Sequence, residues 1–204
     1  MIEKTQFEGR GKFIVFYGSN NIGKTTQMDL LEKEWQMIGR PYARIKYPIY
    51  TSPTGIILNR ELRGPKEERS NLPNEVMQEL FAQNRREYEE ELDRLLSQGD
   101  VIAEDYLGTG LAWGLTTGVS RELLNEYNAG LREPDICILM DGERKTIGIE
   151  KEHRHEAAGE NVWETNRRIH QELAAEFGWE IVNADGSEAK IHGEIMEALE
   201  KKWS

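Results

Sequence analysis

The chain has 204 residues, 38% of them hydrophobic and 31% charged, with a formal net charge of −11. That length suits one α/β domain spanning residues 1–204 with a full core, and the acidic balance argues against a nucleic-acid polyanion as partner. The single cysteine, Cys137, rules out a disulfide framework within one chain; no apolar run approaches a membrane span and the N-terminal residues lack a secretory apolar core, so a cytoplasmic protein is expected.

Residues 1–11 are polar and read as a lead-in. Lys12–Tyr17 is a short apolar run that predicts a buried strand. It feeds directly into Gly18-Ser19-Asn20-Asn21-Ile22-Gly23-Lys24-Thr25, then Thr26, which fits the phosphate-loop pattern G-x-x-x-x-G-K-[ST]. Glycines there let the backbone curl so that successive N–H groups point at phosphate oxygens, and a helix beginning near Lys24 adds its positive end. Lys24 is placed to reach the β and γ phosphates and the Thr25 hydroxyl to ligate Mg²⁺. Met28, Leu30, Leu31, Trp35 and Ile38 recur at helical spacing, predicting a helix over Lys24–Ile38 that Gly39 stops.

Tyr42–Tyr47 predicts a second strand, stopped by Pro48. Residues 48–55 read as loop, Ile56–Leu62 as a short helix, and Gly64–Pro73 as a charged loop. A long helix follows over Asn74–Gln98, with Met77, Leu80, Phe81, Tyr88, Leu92, Leu95 and Leu96 as its apolar stripe. Asn84 and Arg85 lie on or beside that stripe, and Glu87, Glu89, Glu90 and Glu91 read as a solvated face. Val101–Glu104 predicts the third strand, Arg121–Leu131 a helix, and Asp135–Met140 the fourth strand. Glu143–Asn161 is poor in apolar residues. Val162–Phe177 predicts a helix, Glu180–Asn183 the fifth strand and Glu188–Lys201 the last helix. Strands separated by helices predict a parallel sheet covered on both faces, with ligands at the carboxyl ends of the strands.

Two further features point to phosphoryl chemistry. The apolar strand ending in Glu104-Asp105 places acids where Mg²⁺ would sit opposite Thr25; the same acids would also suit capping of the next turn. The segment Glu152-His153-Arg154-His155-Glu156 offers a cation on a glycine-flanked stretch that can close over a transferring group, or simply a solvated charge run. His153 and His155 are two apart and face different ways on a helix, which argues against a metal site.

The order of these pieces resembles the thymidylate kinase family of P-loop nucleoside monophosphate kinases, over nearly the whole chain. The matching pieces are Gly18–Thr26 with Gln27 after it, Tyr47-Pro48 ending the second strand, and Phe81-Ala82-Gln83-Asn84-Arg85 on the long helix. Glu104-Asp105-Tyr106 with Thr109, Ala112 and Trp113 follows, then Pro134-Asp135, and His153-Arg154-His155-Glu156 in a lid of about 143–160. The resemblance implies a three-layer α/β/α fold with a five-stranded parallel sheet. It implies transfer of the ATP γ-phosphoryl to dTMP, with Mg²⁺. ATP would be held by residues 18–26, with Arg144 along the adenine and the backbone near Ala184–Gly186 at its edge. The acceptor would meet Asn20, Tyr47, Tyr50, Asn84, Arg85, Tyr106 and Trp113. Lys24, Arg154, Glu104 and Asp105 would carry catalysis, with Thr25 and Glu104 or Asp105 on the metal. The family usually forms homodimers through the long helix.

The chain departs from the family at telling places. Asn20 stands where an acid usually contacts the sugar hydroxyl, and Asn21 where some members carry arginine. Asp105 and Tyr50 stand where arginines hold the acceptor phosphate. A carboxylate beside a phosphate is repulsive without a compensating cation; Lys46, Arg60, Arg63 and Arg86 are the substitutes within reach in sequence. These departures keep two alternatives open: a different nucleoside monophosphate or a deoxynucleoside as acceptor, and a nucleotide-binding protein without turnover.

Overall fold

The computed structural model describes residues 10–145, 154 and 160–203. The polar lead-in through residue 9, and most of the expected lid including Glu152, His153, His155 and Glu156, lie outside the described residues.

Five parallel strands form one sheet: β1 (Phe13–Tyr17), β2 (Tyr42–Lys46), β3 (Asp100–Glu104), β4 (Ile136–Asp141) and β5 (Glu180–Asn183), in the order β2-β3-β1-β4-β5. β1 is central, so its side chains are covered from both faces and its sequence is apolar throughout rather than alternating. Its Ile14 and Phe16 point to one side, packing with Met28, Leu31 and Trp35 of α1 (Lys24–Met37) and with Ile191 and Ile195 of α8 (Glu188–Trp203). Phe13, Val15 and Tyr17 point to the other side, against Leu92 and Leu96 of α4 (Glu89–Leu96) and Ala174 of α7 (Glu160–Phe177). Each such side chain contributes roughly 1.5–3 kcal/mol on burial, and the two cores clamp β1. The register pairs Phe16 with Glu104 and Lys46 with Glu104, which brings the ends of β1, β2 and β3 together.

Three elements differ most from the expectation. α2 runs Pro53–Arg63, starting before Ile56, because the Ser52 hydroxyl caps the Gly55 N–H at 3.2 Å and Pro53 sits in the first turn, where its missing donor costs nothing. The long helix is two, α3 (Asn74–Arg86) and α4, joined by a tight turn in which Tyr88 N–H donates to the Arg85 carbonyl. Glu87 at that joint is held by the Thr54 backbone and hydroxyl, at 3.2 and 2.8 Å, and three acids then open α4, where they suit its positive end. Leu92 and Leu96 are spent on this chain's own sheet.

The third difference is α5 (Leu107–Thr116), for which the sequence offered no helical signal. Its three glycines oppose helix formation intrinsically; tertiary packing overrides that. α6 (Arg121–Asn128) ends three residues short of the expected boundary, and a 3₁₀ turn at Lys66–Glu68 lies within the expected charged loop. Among the described residues no helix is long and apolar enough to cross a membrane.

Candidate active site

A cleft of about 410 Å³ opens at the carboxyl ends of β1, β2 and β3. One end is the phosphate loop. Gly23 reaches φ 99°, a conformation that a side chain would resist, and hands the chain to α1. The loop is braced from outside. Ser19 donates to Asn166 Oδ1 at 3.1 Å, Trp163 Nε1 donates to the Asn20 carbonyl at 3.2 Å, and the Lys145 N–H to the Asn21 carbonyl at 3.0 Å.

Lys24 is only 5% exposed, and its ammonium donates to the Gly18 and Ser19 carbonyls at 2.7 and 3.2 Å. It also lies 3.5 Å from Asp105 Oδ1. Thr25 donates to Glu104 Oε2 at 2.8 Å, and Lys46 donates to Glu104 Oε1 at 2.7 Å. Thr109 donates to Asp105 Oδ1 at 2.9 Å. Glu104 thus faces the loop threonine and Asp105 the loop lysine.

Their environments shift the two carboxyls in opposite directions. Burial tends to raise Glu104, but Lys24 and Lys46 with the Lys46 and Thr25 hydrogen bonds outweigh it, holding Glu104 below the ordinary carboxylate range. Burial and the neighbouring Glu104 charge raise Asp105 against the pull of Lys24. Thr25 and Glu104, two hard oxygen donors in hydrogen-bonding contact, fit an ion such as Mg²⁺ that keeps most of its waters and binds chiefly to phosphate oxygens.

The other end of the cleft is a wall for a planar group. Tyr47, Tyr50, Arg85, Tyr106 and Trp113 line it, with Gln78 and Phe81 of α3. Tyr47, in a cis peptide with Pro48, lies 4.9 Å from Tyr106 by ring centroid. Arg85 is 4% exposed and is fixed by donation to Asn128 Oδ1 at 2.8 Å and the Tyr106 carbonyl at 3.1 Å. Gly110 of α5 gives it room, since a Cβ there would stand 2.3 Å from Arg85 Nη2.

Of the residues singled out from the sequence, Asn20 through Thr26 line this cleft together with Glu104, Asp105 and the four aromatic residues and Arg85 just named. Gly18 and Ser19, the first two residues of the loop, do not line the cleft. Asn84, expected at the acceptor, does not line the cleft. It is fully buried, and its amide is used in four contacts with Ile49, Ser52 and Thr54, bracing the turn after Pro48. Arg144 lies behind the loop, its guanidinium 5.9 Å from the Trp163 ring centroid. Ala184 is buried with its N–H on the Asp141 carbonyl, and Gly186 turns beyond it; neither lines the cleft. Arg154 sits apart from the phosphate loop, donating to the Leu72 carbonyl at 2.9 Å and Asn74 Oδ1 at 3.1 Å.

Sequence reasoning missed Gln78, Phe81 and Lys145 as cleft residues. The first two carried a usable signal, because 78, 81 and 85 share one helical face. Glu89 was assigned to a solvated face, yet it accepts from Tyr106 Oη at 3.3 Å and from the Arg132 N–H at 2.9 Å.

The profile of one family, described as thymidylate kinase, matches residues 16–195. The chain is 26% identical to a thymidylate kinase of Dictyostelium discoideum, covering 98% of this chain and 90% of that one. It is 25% identical to a Danio rerio thymidylate kinase, covering 94% and 91%. Among solved structures, thymidylate kinase from Candida albicans superposes with a TM-score of 0.80 at 21% identity, over 94% of this chain and 92% of that one.

Proposed function

Because the chain belongs to the thymidylate kinase family, we infer that it transfers the γ-phosphoryl group of ATP to the 5′-phosphate of dTMP, yielding ADP and dTDP. The observation that carries this reading is one cleft with Lys24, Thr25 and Glu104 at one end and Arg85 among aromatic residues at the other. A 5′-phosphate oxygen of dTMP attacks the γ-phosphorus, the bond to the bridging oxygen breaks, and ADP leaves. Such a transfer needs positioning and charge compensation rather than a protein nucleophile.

In this reading Lys24 exchanges its loop carbonyls for phosphate oxygens. Asn20 hydrogen-bonds the sugar hydroxyl, Tyr47, Tyr106 and Trp113 wall the base and sugar, and Arg85 donates to a thymine carbonyl. Arg144 and the backbone near Ala184 and Gly186 take the adenine. Mg²⁺ would be held by Thr25 and Glu104, with Asp105 beside it, and would supply charge compensation on the β and γ phosphates. Arg154 acts as a transition-state cation only after its side chain leaves Leu72 and Asn74. The cytoplasmic setting belongs to the same reading. So does a homodimer, which would use the outward helix faces, since Leu92 and Leu96 are already buried on the sheet.

A coupled ADP-release assay with dTMP, dUMP, dCMP, dAMP and thymidine tests the acceptor. Preference for dTMP is expected; preference for thymidine or another monophosphate would overturn this reading. The assignment of Arg85 has its own test in Gly110→Ala. A methyl at that position pushes the guanidinium off its partners while leaving the phosphate loop untouched. The KM for dTMP should rise roughly 10- to 100-fold, since a displacement near 1 Å has that order of effect, with the KM for ATP unchanged.

A further inference from the structure

We propose that the acceptor's phosphate is held by Lys46 and Arg63, with Arg63 posted over the cleft by the ring of Tyr50. This rests on the kinase reading above and identifies how that site neutralises a dianion beside Glu104 and Asp105.

The argument begins with charge. The acceptor phosphate must approach the end of β3, where two carboxyls already stand. Lys24 belongs to the phosphate loop and Lys145, which follows β4, lies beside it at Asn21 and Gly23, where the donor's own negative charge engages both. A second anion therefore needs cations from the acceptor side of the cleft.

The described cations on that side can be sorted by whether they line the cleft. Arg60 pairs with Glu61 at 3.3 Å and reaches Ser70 at 3.3 Å. Arg86 donates to the Tyr127 and Ala129 carbonyls at 2.5 and 3.1 Å. Neither lines the cleft, and neither does Arg154. Arg85 does, but it is committed at the base end to Asn128 and the Tyr106 carbonyl. Lys46 and Arg63 both line the cleft between those ends.

Their supports suit the task. Lys46 ends β2, and its ammonium bridges to Glu104 Oε1 at 2.7 Å while half of the side chain stays exposed. It can bind a phosphate oxygen without leaving the acid. Arg63 ends α2, and its guanidinium lies 4.8 Å from the Tyr50 ring centroid. Stacking there holds the planar fork at the cleft mouth. Tyr50 thus serves as the rest for a cation delivered from a neighbouring helix.

The test compares dTMP with thymidine, which differ only by the phosphate. Calorimetric Kd values are measured for both ligands in the wild-type chain, Arg63→Ala and Tyr50→Leu, with circular dichroism to verify folding. Wild type should prefer dTMP. Arg63→Ala should weaken dTMP about 10- to 100-fold, the value of a charge-assisted contact, and leave thymidine within about 3-fold. Tyr50→Leu should cost dTMP about 2- to 5-fold through the lost cation–π contact. The KM for ATP should not change in either variant. Dependence of thymidine and dTMP binding on Arg63 to the same degree, or of neither, would overturn the clamp while leaving the kinase reading intact. Failure of wild-type chain to phosphorylate or bind dTMP would overturn both. Lys46→Met should lower dTMP affinity as well; an unchanged Kd would remove Lys46 from the clamp.

Discussion

Lys24→Met should lower kcat roughly 100- to 1,000-fold, the range found when one preorganised donor to a developing charge is removed. Methionine fills a similar volume, so the substitution removes charge with little change in packing. In the structure this ammonium is already buried at the focus of the loop, on the Gly18 and Ser19 carbonyls and 3.5 Å from Asp105. Those carbonyls hold it at the loop before any nucleotide arrives, and nucleotide binding exchanges them for phosphate oxygens. Its loss also leaves Glu104 and Asp105 with a single lysine, Lys46, between them. Asp105, already raised by burial, then takes up a proton more readily, which limits the cost to folding. The expected result is a normal circular dichroism spectrum with the rate lost. A kcat within 10-fold of wild type would show that the loop lysine is not the main charge on the transferring group.

Glu104→Gln should have the second largest effect, a loss of roughly 100-fold in kcat/KM at low millimolar Mg²⁺, partly restored by raising the metal concentration. Glutamine keeps the shape and can still accept from Thr25, but it cannot balance a cation. Glu104 is 5% exposed and flanked by Thr25 and Lys46, so its carboxylate is oriented on both oxygens. The sign of its pH dependence follows from its lowered pKa. Burial pushes the carboxyl up, but Lys24, Lys46 and the Thr25 hydroxyl together pull it further down. The charged form is therefore present through the neutral range and is lost only as pH falls below the ordinary carboxylate range. Asp105 is shifted the other way, upward, by burial and by the neighbouring Glu104 charge. The substrates' own phosphates titrate at about pH 6 in both proteins, so the two kcat/KM profiles are compared: a Glu104-dependent limb below the ordinary carboxylate range should appear in wild type and be absent in the variant. An acid limb identical in wild type and Glu104→Gln would contradict the assignment.

How far the chain could be read from its residues follows from local physics. The phosphate loop was legible because glycines, lysine and threonine at fixed spacing between an apolar run and a helical repeat permit few other geometries. The strands were legible because a parallel sheet buried on both faces needs uninterrupted apolar runs, as in Phe13–Tyr17. α5 was not, because Gly108, Gly110 and Gly114 look like a loop until Arg85 and its other neighbours are in place to require close approach. The joint at Glu87 and Tyr88 was hidden for a similar reason: the hold of Thr54 on Glu87 links residues 33 apart. Asn84 and Arg85 adjoin in sequence, yet one became a strut and the other faces the cleft; helical periodicity alone does not separate neighbours beside one stripe. The choice of Lys46 and Arg63 over Arg60 and Arg86 was also beyond the sequence, since only the fold shows which of the four line the cleft.

The most direct test of the central claim follows the phosphorus itself. The chain is incubated with Mg²⁺, dTMP and ATP labelled in the γ-phosphoryl group, and the products are separated. Label in dTDP, at a rate that collapses in Lys24→Met, is the result predicted here. Label released only as inorganic phosphate, or carried by thymidine but not by dTMP, would contradict it.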